Sequence, residues 1–460
     1  MTGRRDFRHP ALLAATARSK VAADHGGGSR LTLVCVGGGR VTLVSNAALS
    51  AGIPSTSQTR SDPAGDPVRA LTVLIATPTL EAGAADEGAV DLAALLTEAG
   101  HRPIVVSRGG RLEPRLAEAG GELIRLDAAS RNPVVMARHA ASLRTLLRQR
   151  RCDVVHAHGR AAAWSALAAA RSRRIPFLTT WHKGFREQNA LKRFYNSVMA
   201  RGDRVIVPSD QIAELIVARH GISWERIAVI PSAVDVGRFD PLALTGERIG
   251  AVRRSWGVKG DTKVILVPGR VLRRKGHHVA VLAACRLKAM GIKNFLFVFA
   301  GEDHGSSRYS GELWDLVLAT GSADVVRIAW SPDDLPAAYA ASTAVVSAAI
   351  QPEGVQRTIL EALAMARPVV VSDLAAGRDI VLAPPAVPEE RMTGLRFAAS
   401  DDEALAAALV RLMSMPDAAR RAIGRRGREW VAGHCSPATV ASQMLAVYAA
   451  VTERRRRSTR

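Results

Sequence analysis

Residues 71–100 read LTVLIATPTLEAGAADEGAVDLAALLTEAG, and this stretch decides the fold. Its opening, LTVLIAT, is a continuous apolar run of strand length, the pattern of a strand buried on both faces. A loop containing Gly83 follows, and then a helical run that stops at Gly100. Strand, loop and helix make one β-α unit. The unit recurs as PIVVS, ELIRL, DVVHA, PFLTT, RVIVP and IAVIP, with helical runs such as PVVMARHAASLRTLLRQR and NALKRFYNSVMARGD between them. Beyond Pro231 and Pro241 a second series opens with KVILVP, FLFVFA, VVRIA, AVVSA and PVVVS. Helical stretches from Lys275 to Met290, Ile359 to Met365 and Glu403 to Met413 lie among these strands. Alternation of this kind predicts parallel sheets covered on both faces. Two series predict two doubly wound α/β domains, with a ligand cleft beyond the carboxyl ends of the strands.

Composition narrows the function classes. The 460 residues, 48% apolar and 23% charged, are enough for two cores and exclude a wholly disordered or fibrous chain. Cys35, Cys152, Cys285 and Cys435 lie far apart with no C-x-x-C pair, which points to neither a zinc site nor a disulfide framework and to a reducing cytosol. The apolar run Ala11–Ala15 is too short for a secretion signal, and residues 31–53 are interrupted by Arg40, three glycines and several Ser/Thr, so no transmembrane span is expected. A net charge of +21 calls for an anionic partner: phosphorylated substrate, acidic membrane or nucleic acid. Only 4% aromatic residues and no recognisable nucleic-acid motif argue against the last.

Four stretches carry chemistry. In QPEGVQRTILEALAMARPVV (351–370), Glu353 lies in a loop and Glu361 in the helix after it. The turn offers the backbone N–H groups of Gly354, Val355 and Gln356 to an anion, and the carboxylates can accept hydrogen bonds from sugar hydroxyls. In PGRVLRRKGHH, Arg270 and Lys275 follow a strand end, where two cations can neutralise a diphosphate leaving group. DVVHAHG places His156 and His158 on one side of a strand and its exit, with His158 better placed for a cleft and His156 a core residue. The next strand exit, TTWHKG, brings His182 to the same edge.

Taken together, these stretches resemble the retaining glycosyltransferases of family 4, which have the GT-B fold of two Rossmann-like domains facing across a cleft. The likeness covers about residues 71–450 and keeps its order: the Gly83 loop, DVVHAHG, TWHKG, IAVIPSAVDVGRFDP, PGRVLRRKG, the E-x7-E stretch and GLRFAASDDEALAAAL. NALKRFYNSVMARGD is similar to bacterial members that build lipopolysaccharide or capsule. Residues 1–70, with Gly26–Gly28, Gly37–Gly39 and a Ser/Thr/Pro stretch from Ser55 to Pro67, read as a poorly ordered basic extension, and the resemblance implies an acceptor domain over 71–240 and a nucleotide-sugar domain over 241–436. A helix over 437–452 would pack back on the first domain, ahead of a basic tail at 453–460. It also implies that Arg270 and Lys275 bind the donor diphosphate, Glu353 the sugar and Glu361 the ribose. Gly354 and Val355 would offer backbone donors, and His158 would stand at the sugar's reactive side as a catalytic group with Glu353, Arg270 and Lys275. Gly83 and His182 would belong to an acceptor or phosphate loop. A UDP- or GDP-linked sugar, a lipid-linked or lipopolysaccharide acceptor and no metal or other cofactor are the expected partners. An epimerase or a glycogen/starch-type synthase on the same scaffold is the alternative, although the K-x-G-G loop of such synthases is absent near Gly83.

The charge is uneven. Residues 138–204 hold 15 Lys/Arg against 3 Asp/Glu. Within them Leu191, Phe194, Tyr195 and Val198 fall at i, i+3, i+4 and i+7, a stripe that faces either the core or an anionic leaflet. The second reading makes the chain a cytoplasmic protein held on the inner face of the membrane.

Overall fold

A computed structural model describes residues 69–81, 83–182, 184, 189–301, 308–329, 334–351 and 356–459, together with strands at 31–36 and 40–45. Those two strands, β1 (Leu31–Val36) and β2 (Arg40–Ser45), pair antiparallel within the stretch expected to be a poorly ordered extension.

The seven strands expected after residue 70 all form: β3 (Thr72–Ala76), β4 (Arg102–Ser107), β5 (Glu122–Arg125), β6 (Val154–Ala157), β7 (Phe177–Thr180), β8 (Arg204–Val207) and β9 (Ile227–Val229). They make one parallel sheet in the order β5-β4-β3-β6-β7-β8-β9. The second sheet contains β10 (Lys263–Pro268), β11 (Phe295–Ala300), β12 (Val326–Ala329), β13 (Ala344–Ser347), β14 (Val369–Ser372) and β15 (Gly394–Phe397). Its order is β12-β11-β10-β13-β14-β15, again all parallel. In each sheet the first strand lies inside and the order reverses beside it, between β3 and β6 and between β10 and β13. Such reversals open a crevice at the strands' carboxyl ends.

Alternation along the strands fills a core on each face. Leu74 and Ala76 of β3 pack in one buried cluster and Val73 and Ile75 in the other. The second cluster is completed by Val440, Met444, Tyr448 and Val451, one face of the C-terminal helix (Pro437–Thr459). Four large side chains removed from water, at about 2 kcal/mol each, are what fix the end of the chain on the first sheet. The helix runs beyond the expected 437–452, and the basic tail continues it to Thr459. No helix among the described residues is long and apolar enough to cross a membrane. Cys152, Cys285 and Cys435 are free thiols, and burial pushes those of Cys152 and Cys435 up to about 12.

Two of the elements that the sequence pattern does not show are instructive. Strand β15 is GLRF, with a glycine and an arginine in four residues. The 19-residue helix Asp417–Cys435 carries so many arginines that its apolar stripe is thin. Its Gly424 lies where a Cβ would stand 2.0 Å from the carbonyl oxygen of Ala366. Gly424→Ala sets two effects against each other: alanine favours a helix by about 1 kcal/mol, whereas a backbone contact at that distance forces the helix away from its support. The contact is expected to win, lowering the midpoint of thermal unfolding by several degrees; a raised midpoint would show that the helix can shift freely.

Candidate functional site

The site is built at the reversal of the first sheet. Chain leaving β3 is held by Asp86, in the first turn of the first helix (Ala84–Glu98). Its carboxylate accepts from the Thr77 hydroxyl (3.3 Å), the Thr79 hydroxyl (2.9 Å) and the Glu81 N–H (3.3 Å). Burial pushes this carboxyl above its ordinary value, and the same hydrogen bonds pull it back. Gly83 caps the helix, and a Cβ there would meet nothing within 4 Å. The protein's own packing does not demand a glycine there.

The histidines lie next to this loop. His156 is fully buried, with Nδ1 2.7 Å from the Tyr448 hydroxyl and Nε2 2.7 Å from the Thr180 hydroxyl. Its pKa is depressed to about 3 by burial, so the ring is neutral, and both nitrogens are satisfied. This is the structural role expected of it. His158, 4.6 Å away between ring centroids, places Nδ1 3.0 Å from Nε2 of His182. Burial, reinforced by both neighbouring imidazoles, holds His158 well below its ordinary value, and burial brings His182 to about 4. Two neutral rings share one proton. If His182 donates, Nε2 of His158 carries the remaining hydrogen; if His158 donates, that nitrogen is a bare acceptor. Nε2 is buried and has no partner among the described residues.

A cavity of about 90 Å³ opens here, walled by Glu87, Gly88 and Asp91 of the first helix, by His158, Thr180 and His182, and by Arg357 from the second sheet's side. It has room for part of a sugar, where enclosing a whole drug-sized ligand takes roughly 300 Å³ or more. Arg357 Nη1 reaches Glu87 (2.6 Å) and Asp91 (3.1 Å), tying its helix (Arg357–Ala364) to the first helix. One turn along lies Glu361, whose carboxylate accepts from the Tyr339 hydroxyl at 2.8 Å. Burial raises the Glu361 carboxyl against that hydrogen bond.

At the reversal of the second sheet, Arg270 is exposed just past β10 and Lys275 is half-buried. Gly276 follows with φ +70, and a Cβ there would stand 1.7 Å from the carbonyl oxygen of Ala348, so only glycine fits. The N–H of Ile350 donates to the carbonyl of Arg274 (2.9 Å). The cationic loop is therefore stitched to the exit of β13. That exit runs into the E-x7-E stretch, of which Glu353, Gly354 and Val355 lie outside the described residues. A hydrogen bond from the Ser347 hydroxyl to the Gln356 side chain ties the two sides of that segment.

The structure thus brings His158 and His182 together and ties the loop that carries Lys275 to the exit of β13, with Arg270 at the head of that loop beside Gly301. Asp86, Gly88, Arg357 and Tyr448 were not singled out from sequence. Two acidic residues in the first turn of a helix were the visible sign of Asp86, but they read as ordinary helix-start charges.

Folds and sites of this kind define the GT-B glycosyltransferases, and solved structures bear the class out. A glycosyltransferase from Rickettsia africae superposes with a TM-score of 0.74 at 26% identity, covering 82% of this chain and 98% of that one. HepE from Anabaena, solved with UDP and glucose, gives 0.69 at 17% identity, covering 82% and 99%. More particularly, residues 87–238 match the family described as Glycosyltransferase Family 4 and residues 249–430 match Glycosyl transferases group 1, so each of the two sheets lies largely in a stretch with a glycosyltransferase family match. A D-inositol 3-phosphate glycosyltransferase of Nocardiopsis dassonvillei is 30% identical over 192 residues, which cover 38% of this chain and 44% of that protein. The chain therefore spans less than half the length of this curated relative. That name differs from the lipopolysaccharide or capsule enzymes the sequence brought to mind.

Gly88 gives a test of the histidine pair, because a Cβ there would stand 2.4 Å from Cε1 of His182. Gly88→Ala is expected to raise helix stability slightly while pushing the His182 ring off His158. Sugar transfer should fall at least tenfold with an unchanged or higher melting temperature. Unchanged turnover would show that the pair does not serve the reaction.

Proposed function

We propose that the chain transfers a sugar from a nucleoside diphosphate sugar to an acceptor hydroxyl with retention of configuration. The observation that carries this reading is the hydrogen bond from the Ile350 N–H to the Arg274 carbonyl, which joins the loop carrying Arg270 and Lys275 to the exit of β13, the strand that leads in sequence to the E-x7-E stretch. Cations on the diphosphate supply what the reaction most needs, stabilisation of charge that develops on the leaving group. Glu361 is suited to the ribose hydroxyls, Glu353 to the sugar, and the N–H groups of Gly354 and Val355 to sugar or phosphate. His158, bonded to His182, is suited to the sugar's reactive side, and Gly83 leaves open space for phosphate or acceptor to approach. In the step itself the acceptor oxygen bonds to the anomeric carbon on the face the leaving group departs from. The bond from that carbon to the phosphate oxygen breaks, and the departing phosphate takes the acceptor's proton. UDP bound to the HepE structure supports a UDP-linked donor.

The acceptor is anionic and belongs to cell-envelope glycan synthesis at the inner face of the membrane. What supports this is the basic helix Ala190–Ser197, which leaves Leu191 77% and Phe194 57% exposed while Val198 is buried. The stripe read from sequence therefore divides between surface and core. Beside it a concavity of about 680 Å³ is lined by Met136, Trp164, Phe194 and Tyr195 with Arg131 and Lys192. The Arg201 guanidinium stands 4.9 Å from the Trp164 ring centroid. Aromatic groups rimmed by cations suit an anionic leaflet. A soluble phosphorylated polyol is the second reading, favoured by the name of the curated relatives.

A thermal-shift panel of nucleoside diphosphate sugars is expected to show one that raises the melting temperature. Arg270→Ala and Lys275→Ala should each abolish that shift and cut turnover by two or more orders of magnitude without unfolding the protein. Near-normal turnover of both variants would overturn the donor site. Sedimentation with vesicles separates the acceptors: binding to anionic but not neutral vesicles, lost in Phe194→Glu, supports the membrane reading, and equal recovery with both counts against it.

A further inference from the structure

A second cationic site lies at the opposite edge of the first sheet. Arg69, Arg148, Arg151, Arg173 and Arg455 line one cavity of about 510 Å³ at the amino-terminal ends of β3, β6 and β7. They come from four separate parts of the chain: the approach to β3, the end of the helix Pro133–Gln149, the end of the helix Arg160–Ser172, and the C-terminal helix. The one acid in the lining, Asp153, is already engaged by Arg69 (2.9 Å) and by the Thr72 N–H (2.9 Å). Arg148, Arg151 and Arg173 have no carboxylate partner among the described residues. Like charges gathered round a hollow repel one another, and the arrangement is relieved when an anion enters.

Arg151 adds an independent observation. It closes its helix with φ +50, the left-handed position that chains usually give to glycine or asparagine because a side chain is disfavoured there. Here an arginine occupies it, and its side chain lines the hollow.

We propose that this cavity is a binding site for a small polyanion bearing a diphosphate or phosphate monoester, distinct from the donor site on the second sheet. Guanidinium groups converging from several elements match phosphate oxygens by paired hydrogen bonds. The site also reaches the crevice through the fold. Thr452 and Arg455 line it, and Tyr448, one turn before Thr452, is the residue that holds His156. An anion here clamps the last turns of the helix that steadies the histidine floor.

Inorganic pyrophosphate is the probe, titrated calorimetrically into the full chain, into Arg270→Ala/Lys275→Ala and into Arg148→Gln/Arg151→Gln/Arg173→Gln. The donor-site double variant should retain a pyrophosphate site, and the triple arginine variant should lose that site by at least tenfold in affinity while keeping the other. Should the triple variant fail to fold, Arg173→Gln alone is expected to weaken the same site several-fold. Vesicles of phosphatidylglycerol distinguish the source of the phosphate: binding to them lost in the triple variant, with no pyrophosphate site, assigns a lipid headgroup. If neither ligand distinguishes the triple variant from wild type, the arginines serve the helix ends alone and the proposal is overturned. A donor site that fails its own test leaves this outcome unaffected, since the two sites share no residue.

Discussion

The hydrogen bond between the Tyr448 hydroxyl and Nδ1 of His156 joins residues 292 apart, and the first half of the molecule depends on it. A neutral imidazole sealed beneath a sheet must have both nitrogens satisfied, because a buried polar group left unpaired costs about 1–3 kcal/mol. β7 supplies Thr180 for one nitrogen, and nothing on the first sheet supplies the other. The chain therefore has to return. Its last helix lies across the face that Val73, Ile75 and Val154 would otherwise expose, and it delivers Tyr448 on the same helix face that buries Met444 and Val451. Position of His158, packed on His156 and bonded to His182, follows from that closure.

The tie between the two sheets is of a different kind. Arg357 meets Glu87 and Asp91 with side chains that are 35%, 33% and 25% exposed. Pairs as wet as these contribute at most about 1 kcal/mol each, so they align the halves more than they stabilise them. A weak and salt-sensitive clasp is compatible with the proposed passage of a nucleotide sugar through the crevice. The buried contact holds the floor, and the half-exposed one holds the wall.

This division explains what was legible in the sequence. Strands β3, β4, β6, β10 and β11 were plain because burial on both faces leaves an unbroken apolar run, whereas β15 needs only Gly394 and Leu395 buried beside Phe397 and tolerates Arg396. The meeting of His158 with His182 could be read because adjacent parallel strands bring their exits to one edge. Lys275 and Arg270 were readable for the same reason, each a cation just past a strand. Tyr448 and Arg357 were not, since their partners are 292 and 266–270 residues away and neither residue type announces a long-range contact. Gly88 carries no mark of its role in the sequence, because the His182 ring that occupies the space of its missing side chain comes from 94 residues further along.

Uneven charge acquires a structural reason from the same arrangement. Of the basic residues between 138 and 204, some are spent locally: Arg150 on Glu122, Arg171 on Asp203 and Arg201 over two aromatic rings. Local pairing soon runs out, because that stretch has only three acids to offer. Three of the remaining cations, Arg148, Arg151 and Arg173, line the arginine hollow, and Lys192 joins Arg131 at the aromatic concavity. A protein that needed positive charge only for solubility would scatter it, since clustering like charges costs stability and scattering costs nothing. Concentration on one half, with apolar surface at one cluster and an open arginine-lined hollow at the other, is the pattern of surfaces that meet anions of different shape.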